Sequence, residues 1–261
     1  MISLRVIKVG GALVNDPGAV TSYVQSILSV GHQKNDTRCI LVHGGGPQIS
    51  ALHERLGIAS TMQDGIRVTP EASLPIVAMV LRGQVNAQLC ATLNRDGIPA
   101  LGLSGADLGL YKSELVDRAR YGLVGGPPVI DMEKFAQLLS LNYVPVCCSL
   151  ATHIKTGELL NVNADVLADA LAQAAVASPT IGRVELDLIT SVPGVLDGNQ
   201  QVVARIGRQN VQSLIDDGVI TGGMIPKVRA ALTSIDAGVS QVRIGSFSSL
   251  VADQSTVILQ D

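Results

Sequence analysis

Six short runs of branched, almost unbroken apolar residues constrain this chain more than any other feature. They are Leu4–Val9, Cys39–Val42, Ala100–Leu103, Val144–Ser149, Leu186–Thr190 and Val242–Ile244. A strand with one wet face alternates apolar and polar side chains. A strand that is apolar at nearly every position is covered on both faces, as in a parallel sheet with helices on either side. The stretches between the runs agree, with helical spacing over Ala19–Val30, about Gln48–Leu56 and Ala164–Ala177. The sequence therefore predicts an α/β fold: a three-layer αβα sandwich around a mainly parallel open sheet.

At about 100–200 residues per domain, 261 residues make one large domain or two joined lobes. The weak break Ser178-Pro179-Thr180 would part an N-lobe, about 1–179, from a C-lobe, about 180–261. Two stretches leave the rhythm: Gly109–Pro128 reads as a hairpin excursion and Lys155–Leu160 as a smaller hairpin. One helix is well punctuated, with Thr69 expected as its N-cap, Pro70 at its first position and Gly97 beyond its end. Leu74, Val77, Leu81, Val85, Leu89 and Leu93 form its apolar stripe, and Ile76, Met79 and Val80 add a second flank. Such a helix is either sandwiched within the lobe or also meets another subunit.

Composition removes several function classes. A hydrophobic share of 47% excludes disorder. A net charge of −3, no basic tract and 2% aromatic residues argue against a nucleic-acid binder. Cys39, Cys90, Cys147 and Cys148 make no CxxC and read as buried reduced thiols. No apolar run approaches the roughly 18 residues of a membrane span and no signal-like segment opens the chain, so a cytoplasmic protein is expected.

The familiar catalytic patterns are missing: there is no GxxxxGK[ST], no GxGxxG opening a helix, no GxSxG and no HExxH. His32, His43, His53 and His153 make no metal-ligand spacing, and no protein metal site is expected. What remains is glycine at strand ends. Lys8 ends the first run and Gly10-Gly11 follow; Gly44, Gly45 and Gly46 follow the second, with Pro47 opening a helix. Bare glycine N–H groups beside a helix N-terminus, at the carboxyl ends of parallel strands, suit a phosphate or carboxylate, although each alone also suits a tight turn. In T-G-G-M-I-P-K-V, Pro226 fits the first helical position and puts Lys227 in the first turn. A cation there opposes the helix dipole by about 0.3–1 kcal/mol, and a bound polyanion would reverse the sign. An exposed lysine bending into solvent is the alternative. In N-V-N-A-D, Asn163 suits an N-cap and Asp165 the first turn, which leaves Asn161 without a structural task. Arg67, in G-I-R-V-T, either forks onto a carboxylate or is an ordinary surface arginine.

Taken in order, V-I-K-V-G-G, H-G-G-G-P, G-I-R-V-T, N-V-N-A-D, S-V-P-G-V-L and T-G-G-M-I-P-K closely resemble the amino-acid kinase family, from about residue 5 to residue 245. The last four motifs favour its acetylglutamate-phosphorylating branch. The resemblance implies the amino-acid kinase fold and an ATP-dependent phosphotransferase. ATP would give its γ-phosphoryl group to the γ-carboxylate of N-acetyl-L-glutamate, yielding the acyl phosphate and ADP on the route to arginine, with Mg²⁺ bound to the nucleotide. It further implies that Lys8 and Lys227 contact the transferring phosphoryl group, that Gly11 and Gly45 point N–H groups at the reacting oxygens, and that Asp165 orients both lysines. Gly45, Gly46, Arg67 and Asn161 would hold the acylamino acid. Ser191, Val192, Pro193, Gly194, Val195 and Leu196, with Thr221, Gly222, Gly223, Met224 and Lys227, would hold the nucleotide. Many members carry a Lys after G-L-S-G and another after the V-N of the long helix, where this chain has Ala106-Asp107 and Ala87. In the family an extra N-terminal helix accompanies hexamers and arginine feedback. Here the first strand opens about three residues in, so an arginine-insensitive homodimer is expected. The alternatives are a kinase for carrier-linked aminoadipate and a non-catalytic nucleotide or amino-acid sensor on the same fold.

Overall fold

The two-residue period of a strand explains why the apolar runs are continuous. In strand Ile2–Val9, Leu4 and Val6 enter one buried cluster beside Val42, Leu186 and Leu188, while Ile7 and Val9 enter a second beside Leu41, Val146 and Ile189. The computed structural model describes residues 1–34, 37–222 and 224–260. Among these, eight strands form the central sheet in the order Arg205–Gly207, Thr256–Leu259, Gln241–Gly245, Ile181–Ile189, Ile2–Val9, Thr37–His43, Val144–Cys148 and Ala100–Leu103. Every neighbouring pair is parallel except Gln241–Gly245 with Thr256–Leu259. Helices Met132–Ser140, Ala164–Val176 and Met224–Asp236 cover one face, and Pro17–Lys34, Gly46–Arg55 and Leu74–Arg95 the other. The αβα sandwich expected from the sequence is the one observed.

The chain steps from Ile2–Val9 to Thr37–His43 on one side and later adds Ile181–Ile189 on the other. This is a topological switch point, and it opens a crevice at the carboxyl ends of the three strands. A second, five-stranded sheet lies beside the first, in the order Val124–Gly125, Leu159–Val162, Leu150–His153, Tyr111–Ser113 and Val129–Ile130. The hairpin expected at Lys155–Leu160 is its antiparallel centre. The Gly109–Pro128 excursion does fold back on itself, with an antiparallel bridge between Leu115 and Gly125 flanked by Val116 N–H to Val124 O (3.0 Å) and Gly126 N–H to Glu114 O (2.9 Å). Its two strands pair with that centre from opposite sides, and a short helix, Arg118–Tyr121, lies between them.

The long helix departs from expectation at its start. Thr69 donates its N–H to Tyr121 O at 2.8 Å and its hydroxyl to Arg67 O at 2.9 Å, and its hydroxyl oxygen accepts from Asn161 Nδ2 at 3.0 Å, so the oxygen that would cap a helix is taken. The helix begins instead at Leu74, behind Ser73, with Pro75 in its first turn. Its middle, Met79–Asn86, is wound as a π-helix before α-geometry returns in Ala87–Arg95, and Gly97 follows at φ +82°. This is the one helix among the described residues long and apolar enough to cross a membrane, yet Val77, Val80, Leu81, Val85, Leu89 and Leu93 pack it into the core. The helix carrying Lys227 departs the other way and starts early, at Met224 rather than Pro226.

Strand Ile181–Ile189 runs longer than its apolar stretch because its charged residues find partners. Asp187 is fully buried and accepts from Arg243 Nε (2.8 Å) and Nη2 (2.9 Å), Tyr23 Oη (2.5 Å) and Arg5 Nη1 (3.3 Å). Arg5 also pairs with Glu185. Burial alone would raise the Asp187 carboxyl, but Arg5 and Arg243 hold it below the usual carboxylate range. The four cysteines are unbridged, and burial pushes Cys39 and Cys148 up to about 12.

Candidate active site

Strand geometry places Lys8 on the face of Leu4 and Val6, toward helices Ala164–Val176 and Met224–Asp236. Asn163 stands in extended geometry and its side chain accepts the Asp165 N–H at 2.8 Å, the expected N-cap. That cap starts the helix with Asp165 facing the end of the first strand. Lys8 Nζ lies 2.9 Å from Asp165 Oδ1, and Lys227 Nζ lies 3.7 Å from Oδ2. One carboxylate thus separates two cations brought from a strand and from the first turn of another helix. Burial would raise the Asp165 carboxyl, but Lys8 and then Lys227 outweigh it and keep it below the usual range.

The two glycine turns meet beside this triad. A Cβ on Gly11 would lie 2.9 Å from Gly46 N and 3.0 Å from Pro47 Cδ, so only glycine lets the turns approach this closely. Gln48 staples them together, donating from Nε2 to Gly11 O at 2.8 Å. Gly45 is the N-cap of helix Gly46–Arg55, and its N–H with that of Gly46 opens the positive end of the helix dipole. Strand end, glycine turns and lysines bring two side-chain cations and backbone N–H groups together, the chemistry that suits an anion.

A cavity of about 320 Å³ adjoins the turns, lined by Gly44 to Gly46, Arg67, Asn161 and Asn163 among apolar walls including Ile49, Leu81 and Val162. Arg67 enters it from hairpin Met62–Gln63/Ile66–Arg67 and donates from Nη2 to Gly46 O and Ser50 Oγ, each at 2.9 Å, and from Nη1 to Ser60 Oγ. Asn161 is not idle, as the sequence implied. Its Nδ2 donates to Thr69 Oγ1 at 3.0 Å, which ties the strand of Asn161 to the segment carrying Arg67. A second cavity of about 320 Å³ lies beyond Asp165, lined by Asp165, Lys227, Pro226, Leu188 and Asp169, and shares Gly65, Ile66, Asn163 and Val166 with the first. Asp165 and Lys227 therefore face the second space, which meets the first at Asn163 and Val166.

The expected nucleotide segments are less concentrated. Ser191 to Leu196 follow strand Ile181–Ile189 at the same end of the sheet, but none of them lines either cavity. Val195 is buried in the core, and Gly194 packs so tightly that a Cβ would sit 2.6 Å from Thr256 Oγ1. Thr221, Gly222 and Met224 form the turn into the Lys227 helix, with Gly222 at φ +52°, and Gly223 lies outside the described residues. The Asp64-Gly65 turn escaped the sequence reading. Both residues have positive φ (52° and 77°), the geometry of a two-residue hairpin, and Asp-Gly is the sequence signal for it.

A parallel sheet with a switch-point crevice, two lysines about one carboxylate and paired glycine turns make an arrangement suited to holding a phosphoryl group by charge and position. The sequence profile of the amino acid kinase family matches residues 3–246, and the chain belongs to that family. It is similar to the acetylglutamate kinase of Geobacillus kaustophilus, 39% identical over 92% of this chain and 89% of that protein. The acetylglutamate kinase of Endomicrobium trichonymphae is 35% identical over 99% of both chains. Among solved structures, smu.665 from Streptococcus mutans UA159 aligns over 99% of both chains at 32% identity, with a TM-score of 0.81.

Proposed function

We propose that the chain is an acetylglutamate kinase, transferring the γ-phosphoryl group of ATP to the γ-carboxylate of N-acetyl-L-glutamate. The observation that carries this reading is the Lys8–Asp165–Lys227 triad, whose Asp165 and Lys227 line one cavity that adjoins, at Asn163 and Val166, another walled by Arg67 and Asn161. The acylamino acid occupies the first cavity. Arg67 meets its α-carboxylate and Asn161 its amide, and the γ-carboxylate points at the glycine turns. With a free pKa of about 4.3 that carboxylate is already ionised and needs no general base. What the protein supplies is in-line placement and stabilisation of charge on the transferring group. Lys8 and Lys227 meet that charge from two sides, and the N–H groups of Gly11 and Gly45 take the reacting oxygens. Asp165 keeps the lysines in place before phosphate arrives.

Nucleotide phosphates lie against Lys227, with the base toward the Ser191–Leu196 and Thr221–Met224 segments of the C-lobe (about 180–261); the N-lobe (about 1–179) holds the acylamino acid. Mg²⁺ would arrive bound to the phosphates of the nucleotide. It would supply the remaining positive charge. We assign the protein to the cytoplasm, in keeping with four unbridged thiols. The homodimer forms through the long helix, where Pro75, Met79, Gly83, Ala87 and Ala91 recur at exposed positions.

A hydroxamate trap for the acyl phosphate tests the reading, run with ATP, Mg²⁺ and a panel of N-acetylglutamate, N-acetylaspartate and free glutamate. N-acetylglutamate should give the product and free glutamate should be far poorer. No acyl phosphate from N-acetylglutamate, or equal use of free glutamate, refutes it.

A further inference from the structure

Beneath the H-G-G-G turn runs a polar chain that the proposed transfer does not itself use. His43 closes strand Thr37–His43 on the face of Cys39 and Leu41, opposite to the Lys8 side, and is fully buried under the long helix. Its Nδ1 lies 2.9 Å from Gly44 O and its Nε2 3.0 Å from Asn86 Nδ2. Asn86, also fully buried, gives its other amide hydrogen to Val146 O at 2.8 Å and receives Arg82 Nη1 on Oδ1 at 2.8 Å. Arg82 in turn pairs with Asp107 at 3.5 Å, and Asp107 accepts from the N–H and hydroxyl of Ser104 at 2.6 and 2.7 Å. Room for the chain is made in the neighbouring strand, where a Cβ on Gly102 would overlap Asn86 Oδ1 and lie 2.8 Å from Arg82 Nη1.

The direction of this chain is not free. A guanidinium only donates, so Asn86 must turn its oxygen toward Arg82 and its NH₂ toward His43 and Val146. Nε2 of His43 must then accept, which leaves the ring proton on Nδ1, where it donates to Gly44 O. Burial lowers His43 to about 4, so the ring stays neutral and keeps this arrangement at ordinary pH. The Gly44 carbonyl and the Gly45 N–H belong to one planar trans peptide and point opposite ways. Holding the carbonyl toward the core aims the N–H outward, to the side where Gly45 N lies 3.4 Å from the Cβ position of Gly11. Flanked by glycines, this peptide is the kind that flips at little steric cost.

We propose that Arg82, Asn86 and His43 are positioning residues: a one-way hydrogen-bond relay that locks the Gly44–Gly45 peptide with its N–H aimed at the transferring phosphoryl group. The inference deepens the phosphotransfer reading and rests on it. The π-helical turn Met79–Asn86 belongs to the same device, since it supplies both Arg82 and Asn86 and presses Leu81 against Gly45, 2.9 Å from where a Cβ would stand.

Two variants at His43 separate aiming from packing. His43→Asn keeps an N–H donor at the Nδ1 position but leaves a cavity; His43→Leu fills the space but has no donor. If the relay aims the peptide, kcat falls less than about tenfold in the first and about a hundredfold or more in the second, the loss typical of one oxyanion-type donor, with both KM values within about threefold. Melting temperature should run the other way, with His43→Leu the more stable. A kcat that follows melting temperature instead overturns the proposal. Independently of activity, ¹⁵N ring shifts of the parent, assigned by their loss in His43→Asn, should show the Nδ1–H tautomer, and an Nε2–H tautomer overturns it too. A parent that makes no acyl phosphate refutes the kinase reading alone, and the tautomer then decides the relay.

Discussion

Replacing Asp165 by Asn removes one negative charge from between two lysines while keeping shape and, nearly, hydrogen bonding. In the parent, Lys8 is buried with its ammonium 2.9 Å from the carboxylate, and Lys227 is 3.7 Å away and more exposed. Breaking a buried pair costs about 3–5 kcal/mol because a charge is left uncompensated. Here the crevice is open to water on the Lys227 side, and exposed pairs are worth about 0–1 kcal/mol. A loss of about 2 kcal/mol is therefore expected, dominated by Lys8, or a fall of roughly 4–8 °C in melting temperature for a domain of this size. The folded carboxyl sits below its usual range, so its stabilisation is fully present above the unfolded pKa near 4 and fades as pH drops through the folded value. The gap between parent and variant should accordingly be constant from about pH 6 to 8 and close below about pH 4. Nucleotide then provides the decisive comparison. Phosphates bring the missing negative charge to both lysines, so saturating MgATP should raise the melt of the variant by more than that of the parent. Thermal melts with and without MgATP across pH, beside initial rates, make the assay. An Asp165→Asn variant that melts with the parent at pH 7, or gains less from nucleotide, refutes this account of the triad.

Three further outcomes follow from the same geometry. Lys227→Ala should cut kcat by two or more orders of magnitude yet shift stability by less than about 1 kcal/mol, because the weak pair with Asp165 and the adverse dipole roughly cancel. A melt well below the parent with near-parental kcat would make Lys227 structural. Gly11→Ala should lower both kcat and stability, the latter by about 1–3 kcal/mol, since its Cβ would meet backbone at 2.9 Å in a turn that cannot yield; an unimpaired variant would show that the turns are not closely coupled. Arg67→Ala should raise the KM for N-acetylglutamate far more than it lowers kcat or alters the KM for ATP, and steady-state kinetics showing the reverse would remove it from the acylamino-acid pocket.

Much of the fold was legible because a strand apolar at every position has to be covered on both faces, and Leu4–Val9 and Cys39–Val42 fall inside observed central strands. The Asn163 cap was legible because a side-chain cap is local chemistry. Thr69 failed as a cap for the converse reason: its hydroxyl oxygen and N–H are claimed by Asn161 and Tyr121, 92 and 52 positions away, which no window along the chain reveals. The junction of Lys8, Asp165 and Lys227 was reached through resemblance, since no spacing rule joins a strand end to two helix starts. His43 looked idle because its partner, Asn86, comes from a helix whose π-turn has no sequence signature. The edge strand Arg205–Gly207 and its neighbour Thr256–Leu259 were missed because short strands differ little from loops in composition.

The buried cluster around Asp187 bears on how this chain can be divided. Arg5 comes from the first strand of the molecule, Tyr23 from the first long helix, and Asp187, Glu185 and Arg243 from strands more than 150 residues later. A cut in the Ser178–Thr180 loop, the most natural place by sequence, would leave one fragment holding a buried guanidinium with no carboxylate. The other would hold a carboxylate with half its donors gone. Neither piece carries a neutral interior of its own. Split-protein reporters and domain grafts built at that loop should therefore behave as obligate complementing halves, inert apart and restored on mixing, with ion pairing across the seam setting which halves recognise each other.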